Sequence, residues 1–234
     1  MRPSILPFAA ALAAAFVLSP AAALADQFVE TFDGGSNTGG WTYGAPTEVI
    51  ESNGGNPGAY LHASGLDTYA PQPRTTQPSI FSGDFRAAGV TSIGVDLATF
   101  YVDFSAEGRP LSLMLYSDNG TPGDDLDDWA AYTMGENIPI PGEGWRSYDF
   151  DVPSDSPTLP AGWLTIGFGP GSPENPDWND VITNVSTLGF FYGDPTMVFI
   201  FQMWELGMDN VRITYGQPTA VEATTWGGVK ALFR

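Results

Sequence analysis

The chain has 234 residues, with 27 acidic and 8 basic side chains and a formal net charge of −19. This balance disfavours binding to nucleic acid or to anionic membrane surfaces, because both need clustered lysine and arginine. The sequence contains no cysteine, which excludes disulfides, cysteine catalysis and zinc–thiolate sites. Its 28 glycines and 20 prolines are typical of a β-protein with many turns.

The first 25 residues have the pattern of a secretory signal peptide. Arg2 supplies a short positive region, residues 5–18 are apolar, and the Ala-Leu-Ala at 23–25 matches a small-residue cleavage site. The alternative is an uncleaved membrane anchor, which is disfavoured because the apolar run is short and Pro20 interrupts it. We therefore expect a secreted protein, extracellular or at the cell surface, that begins at Asp26 and is not an integral membrane protein.

From residue 26 onward, short strand-like segments alternate with turn clusters. Trp145–Val152, for example, places Tyr148 and Phe150 on one face and polar residues on the other. The predicted strands, in chain order, are 27–32, 92–104, 111–116, 145–152, 163–168, 185–192, 196–204 and 208–215. Gly, Pro, Asn and Asp fill the segments between them, as in turns. The pattern predicts an all-β domain over residues 26–216, an antiparallel β-sandwich or jelly roll of roughly 8–11 strands.

The C-terminal residues differ in composition from this domain. Residues 217–223 read as a linker, and residues 224–234 form a basic tail. In the tail, Trp226, Val229 and Phe233 have the spacing of a short amphipathic helix. Two interpretations stay open, namely a terminus whose aromatic side chains pack on the sandwich and a sorting or attachment peptide.

Four segments carry a resemblance to known extracellular modules: Gly55–Ser64, Phe81–Arg86, Gly144–Pro153 and Gly207–Ile213. Their order is similar to that in jelly-roll modules of the laminin IV type A and carbohydrate-binding (galactose-binding-like) kinds. The resemblance implies a β-sandwich fold, an extracellular location and a binding or structural role. The chain departs from laminin IV modules in having no cysteine and no flanking EGF-like repeats.

The resemblance also implies a metal site. Carbohydrate-binding jelly rolls often hold a structural calcium between the first and last strands, which here implies Glu30, Asp33 and Asp209 as metal ligands. Carboxylates and turn carbonyls suit calcium, which takes about six to eight oxygen ligands. The alternative is that Asp209 is solvated and caps a turn beside Asn210.

Residues 118–128 contain five carboxylates in eleven positions, which suggests a second ion site. An EF-hand loop requires oxygens at alternate positions and Glu at the twelfth, but Pro122 interrupts this pattern and Trp129 occupies the twelfth position. A solvated hairpin loop is the favoured interpretation.

Evidence for an enzyme is weak. A glycosidase needs two facing carboxyl groups, one of them in an apolar pocket. Glu205, in an aromatic and apolar run, is the most suggestive acid, but no paired acid stands out. His62 is the one histidine, no G-x-S-x-G nucleophile motif is present, and we expect His62 to be a surface strand residue. The sequence therefore predicts no catalytic residue.

Aromatic residues make up 13% of the chain. Those on alternating strands, such as Phe100, Phe190 and Phe199, are expected inside the sandwich. Aromatic faces in loops stack on sugar rings, and four side chains in or beside loops are predicted to bind the ligand: Trp41, Tyr43, Trp129 and Trp178. The alternative is that these four side chains cover the ends of the sandwich.

Together these features favour a secreted, non-enzymatic module that binds a polysaccharide or another matrix or cell-surface component and carries one structural calcium. One alternative is a structural or adhesive surface protein without a small ligand. A lesser alternative is a polysaccharide lyase or glycosidase of the jelly-roll type.

Overall fold

The computed structural model describes residues 25–76 and 78–216. The predicted signal peptide up to residue 24, the linker 217–223 and the tail 224–234 lie outside the described residues. None of the described helices is long and apolar enough to cross a membrane.

Strands dominate the fold, and two short helices and one 3-10 turn at Asp33–Gly35 connect them. The strands are β1 (Asp26–Glu30), β2 (Trp41–Thr42), β3 (Thr47–Gly55), β4 (Gly58–Thr68), β5 (Arg74–Thr75), β6 (Val90–Val102), β7 (Pro110–Ser117), β8 (Trp129–Asn137), β9 (Arg146–Asp151), β10 (Trp163–Gly167), β11 (Thr187–Tyr192) and β12 (Gln202–Tyr215). The helices are α1 (Phe85–Ala88) and α2 (Trp178–Ile182).

The strands form two antiparallel sheets of six. The first sheet has the order β3-β4-β12-β6-β9, and β1 also pairs with β12. The second sheet has the order β10-β8-β7-β11-β5-β2. This confirms the predicted all-β antiparallel sandwich, and the two-residue strands β2 and β5 bring the number of strands above the expected range.

The core lies between the two sheets and is rich in large aromatic side chains. Trp41, Trp129, Trp178 and Trp204 are all fully buried. Phe190 is buried as predicted. The prediction for Phe100 is wrong, because its side chain lies on the outer face of the first sheet and is 39% exposed.

Strand β12 changes its inward-facing residues part-way along its length. Trp204 and Leu206 point into the core in its first half, but Val211 and Ile213 do so in its second half. The change of phase occurs at a β-bulge, where Asn210 has a φ of 46°. One extra residue in a strand reverses which side chains face inward. The chain was therefore predicted as two strands here, whereas it forms one.

The same strand changes its neighbour at the bulge. Residues before it pair with β4, from Gln202 to Met208, and residues after it pair with β1, from Val211 to Tyr215. Asp209 and Asn210 therefore lie at the junction of β1, β4 and β12, where the loops that follow β1 and β3 meet.

The predicted strands omit β3, β4 and β8, so the strand predictions failed at buried as well as exposed segments. Strand β3 was missed because it is an edge strand with no buried residue, so its sequence lacks an apolar face. Residues 196–201 were predicted as strand, but they form a loop between β11 and β12.

Candidate functional site

The outer face of the second sheet is apolar. On β7, Leu113 and Leu115 point into the main core while Met114 points to the opposite side. The outward-pointing side chains form a second buried cluster: Ala70, Met114, Ala130, Tyr132 and Phe191. Tyr116 packs at the border of this cluster.

Three neighbouring cavities on this side of the molecule share Arg74 of β5. Their volumes are about 300, 340 and 230 Å³. The cavity of 230 Å³ is lined by Gln72, Arg74, Tyr116, Asp125, Asp128 and Phe168. We call these six residues the Arg74 groove. Among the described residues, Arg74 forms no ion pair, so its charge is free to meet a ligand.

The floor of the Arg74 groove is an aromatic pair. The rings of Tyr116 and Phe168 are stacked, with centroids 5.6 Å apart and planes 27° from parallel. Phe168 is 47% exposed. Burial raises the pKa of Tyr116 to about 12, so its hydroxyl stays neutral at physiological pH and is able to donate or accept a hydrogen bond. At the other side of the groove, Gln72 Nε2 donates to Tyr69 Oη at 2.9 Å.

The acidic loop between β7 and β8 supplies the opposite wall. Its residues are largely exposed, which confirms the prediction of a solvated loop. Within the loop, Thr121 Oγ1 donates to Asp127 Oδ2 at 2.7 Å. Partial burial raises the pKa of Asp128, and the nearby Asp125 carboxylate raises it further. The wall therefore carries hydrogen-bond acceptors and a negative field.

The four aromatic residues predicted to bind the ligand lie in the main core and not in the Arg74 groove. Trp41, Tyr43, Trp129 and Trp178 are all buried and belong to the main core. Trp41 stacks on Phe190 with centroids 5.8 Å apart, and Tyr43 Oη lies 3.0 Å from Tyr192 Oη. These side chains fill the interior and are not available to stack on a ligand from solution.

Two of the predicted metal ligands close loops near the start of the domain. Glu30 is buried, and its Oε2 accepts hydrogen bonds from the backbone N–H groups of Thr38 and Gly39. Asp33 Oδ1 accepts from the N–H of Ala59, at 3.2 Å. Both carboxylates therefore have a structural role that needs no ion.

Asp209, the third predicted ligand, is fully buried at the β12 bulge. Its Oδ2 accepts from the N–H of Asn56 at 2.6 Å, and its Oδ1 accepts from the N–H of Asn210 at 2.7 Å. Burial raises its pKa to about 6, the two N–H groups act in the opposite direction, and the nearby Asp96 carboxylate raises it further. A buried carboxylate in such surroundings is costly to ionise.

The nearby arginine, Arg212, forms its ion pairs with carboxylates other than Asp209. Arg212 pairs with Asp96 at 2.9 Å and with Asp149 at 2.8 Å, but not with Asp209. Within residues 25–76 and 78–216, no group of three or more His, Cys, Asp or Glu side chains has a geometry that would hold a metal ion. The described side chains thus do not form a ready-made calcium site at Asp209, and calcium binding stays a prediction.

The outer face of the first sheet holds the histidine and the suspected acid. His62 Nε2 lies 3.0 Å from Glu205 Oε1, and its Nδ1 lies 3.8 Å from Glu51 Oε1. An aromatic group of Tyr60, Phe100 and Trp145 packs beside them. Glu205 is paired and solvent-accessible, unlike the acid of a glycosidase, which lies in an apolar pocket.

No protein-family model and no curated protein matches the sequence. Among solved structures, the chain is similar to the family 11 carbohydrate-binding module of the cellulosomal cellulase Lic26A-Cel5E of Clostridium thermocellum, with 15% identity over 80% of this chain and 94% of that one, at a TM-score of 0.44. It is similar to the L4b domain of human laminin alpha-2, with 10% identity over 81% and 92% of the two chains, at a TM-score of 0.38.

A third similar structure is an exo-beta-agarase, with 12% identity over 82% of this chain and 25% of that chain, at a TM-score of 0.44. The carbohydrate-binding and laminin modules are the two kinds of domain that the sequence segments resemble. The identities and TM-scores are low, and the fold class is established by the two antiparallel sheets described above.

Proposed function

We propose that the protein is a non-catalytic module that binds a glycan in the Arg74 groove. The observation that carries the proposal is the cavity of 230 Å³ that the stacked Tyr116–Phe168 pair lines together with Arg74, which forms no ion pair with any residue that the structure describes. Sugar rings present apolar faces that stack on aromatic rings and hydroxyl groups that need donors and acceptors. The groove supplies each of these groups.

The charges around the groove favour a neutral glycan over an acidic one. Asp125 and Asp128 line the groove together with Arg74, and the chain as a whole has a net charge of −19. A polyanionic glycan would be repelled by this field during approach. Sugar hydroxyl groups, in contrast, are able to donate to the two carboxylates and accept from Arg74.

The test is affinity electrophoresis of residues 26–234 through gels that contain one soluble neutral or acidic polysaccharide each. We expect retardation in at least one neutral polysaccharide. Phe168→Ala should weaken binding about fivefold or more, since one aromatic contact contributes about 1 kcal/mol. Phe100→Ala removes a phenylalanine of similar accessibility from the other sheet and is the matched control. Equal retardation of wild type and Phe168→Ala would contradict the proposed site.

Calcium binding near Asp209 is a further part of the proposal, supported by the burial of an acid that lacks a cationic partner among the described residues. A ligand that binds only the folded state raises the melting temperature in a saturable way. After treatment with a chelator, calcium should therefore stabilise the wild type and not Asp209→Asn. A wild-type melting curve that calcium leaves unmoved would show that no such site exists.

We also propose that the module acts outside the cytoplasm. The support is the pattern of residues 1–25, with its positive, apolar and small-residue regions. An exported module that binds neutral glycans would meet them on a cell surface or in a matrix.

A further inference from the structure

Two loops at one end of the sandwich enclose an apolar cavity away from the Arg74 groove. One loop follows β6, and the other, residues 193–201, connects β11 to β12. The cavity between them has a volume of about 450 Å³, within the range of small-molecule sites. Its apolar lining is provided by Phe104, Met197, Val198, Phe199 and Ile200. Val198 is 95% exposed and Phe104 is 74% exposed, so the cavity opens to solvent.

Both walls of this cavity are anchored to the sheets. Gln202 of β12 is buried and exchanges two hydrogen bonds with the backbone of Ser105, at 3.0 and 3.1 Å. On the other side, Ser112 Oγ of β7 donates to the carbonyl of Gly193 at 2.7 Å. Because strand residues hold both loops, the cavity is part of the folded structure and does not depend on a ligand to form it.

A buried cation lines this largely apolar cavity. Arg109 is 6% exposed, and it lines the cavity together with the apolar residues. Its guanidinium carbon lies 4.2 Å from the centre of the Phe199 ring and 5.2 Å from that of Trp204. Its Nη1 donates to the carbonyl of Tyr69 at 2.8 Å. In the part of the chain that the structure describes, no carboxylate forms an ion pair with Arg109.

The packing of Arg109 explains its position but leaves most of its donors unused. Stacking on two aromatic rings stabilises the cation by a modest amount, and one hydrogen bond satisfies one of its five N–H groups. Burial lowers the pKa of Arg109, yet an arginine side chain stays charged in proteins. The unbonded nitrogens of Arg109 are not among the fully buried unpaired polar atoms of the described residues, so they remain accessible to an anion that enters the cavity.

We propose that this cavity is a second binding site, specific for a carboxylate attached to an apolar chain or ring. The carboxylate would accept the free N–H groups of Arg109, and the apolar part would lie between Phe104 and the Met197–Ile200 segment. The arrangement of one buried cation within an apolar lining selects for this amphipathic chemistry. It differs from the Arg74 groove, where the cation stands beside carboxylates and a stacked aromatic pair.

One residue of the lining has the wrong charge for this ligand. Glu107 is exposed and also lines the cavity. Its carboxylate would repel the ligand through solvent, which makes it a sensitive reporter of the ligand's charge. Glu107→Gln should therefore strengthen the binding of a carboxylate about twofold or more at low ionic strength, and the gain should shrink as salt is added.

The experiment is isothermal titration calorimetry of the full-length chain with decanoate and, separately, with decanol, both below their aggregation concentrations. We expect saturable binding of one decanoate per chain and at least tenfold weaker binding of decanol. Arg109→Met should abolish this preference for the acid. Equal binding of decanoate and decanol by the wild type, or no saturable decanoate binding, would overturn the proposal.

Because Arg109 is buried, Arg109→Met has the disadvantage that it removes packing as well as charge. Val198→Asp avoids this problem, since an exposed side chain on the cavity wall tolerates replacement, and it places a carboxylate beside the proposed ligand. It should reduce decanoate binding at least tenfold and leave the melting temperature and the glycan affinity unchanged. Val49→Asp, at an exposed valine of β3, is the matched control. Unchanged decanoate binding by Val198→Asp would also overturn the proposal.

Discussion

Individual aromatic residues show what a sequence does and does not reveal. Trp41 and Trp178 were predicted in ligand-facing loops from their turn-rich neighbours, yet both are buried. A turn sequence indicates where the backbone reverses but not the direction of a large side chain at its edge. Burial of a tryptophan contributes several kcal/mol relative to exposure, so these rings pack into the main core.

Buried tyrosines make stability depend on alkaline pH. Tyr148 donates to the carbonyl of Asn137 at 2.8 Å, and burial raises its pKa from 10.0 to about 12. Between about pH 10 and 12 the unfolded chain loses this proton and the folded chain retains it. Folding stability should therefore fall as the pH rises through this window, by up to about 1.4 kcal/mol per pH unit for this group.

Tyr148→Phe tests this effect by chemical denaturation at pH 8 to 12. The variant should be about 1 kcal/mol less stable than wild type at pH 8, because it loses one hydrogen bond. This difference in stability should shrink or change sign towards pH 12, because the wild type then loses stability by keeping Tyr148 protonated in the folded state and the variant does not. Tyr101→Phe, at an exposed tyrosine, is the control. A deficit that stays constant across the range would disprove the role of Tyr148 ionisation.

At the scale of elements, alternation identified some strands, but the interior strands β4 and β8 were missed and the bulged strand β12 was divided in two. Strand β9 alternates buried and exposed residues, and its prediction from Tyr148 and Phe150 was accurate to within one residue at each end. Strand β12 contains a bulge, so its two halves have opposite phases and were predicted as separate strands. Periodicity detects a strand only while the phase is constant.

The bulge in β12 depends on both the backbone and the side chain of Asn210. Its φ of 46° is strained for most residues, and its Nδ2 donates to Asp96 Oδ2 at 2.8 Å and to the carbonyl of Asn56. Asn210→Val should lower the free energy of unfolding by about 2–4 kcal/mol, since it loses both hydrogen bonds and adds backbone strain. Asn210→Gly should cost clearly less, because glycine adopts this φ freely.

Urea denaturation of the two Asn210 variants separates these contributions. The difference between them measures the strain, and the difference between Asn210→Gly and wild type measures the side-chain hydrogen bonds. If the valine and glycine variants were equally stable, the positive φ would not be an important element of the bulge.

At the scale of the whole molecule, the sandwich was predictable and the groove was not. Turn spacing and alternation indicated two packed sheets without any tertiary information. The Arg74 groove, in contrast, joins residues 72–74, 116, 125–128 and 168, which come from four separate parts of the chain. The sequence has eight basic residues, and their rarity was the one feature that could have drawn attention to Arg74. No local pattern linked Arg74 to Tyr116 or Phe168.

The proposed export concerns the whole chain and has a direct test. If residues 1–25 are removed on secretion, the protein in the culture medium should begin at Asp26, as shown by N-terminal sequencing and intact mass. Leu12→Arg, which places a charge within the apolar run, should keep the protein inside the cell. A secreted protein that retains Met1, or an unchanged export of the Leu12→Arg variant, would contradict the prediction of a cleaved signal peptide.

The central claim is that the Arg74 groove binds a neutral glycan. Its most direct test is calorimetric titration of wild type, Phe168→Ala, Arg74→Ala and Phe100→Ala with the neutral polysaccharide that retards the wild type most. The account predicts weaker binding by the first two variants, unchanged binding by Phe100→Ala, and melting temperatures close to wild type for all three. Full affinity in both groove variants, or a loss confined to Phe100→Ala, would contradict it and move the binding surface to the opposite sheet.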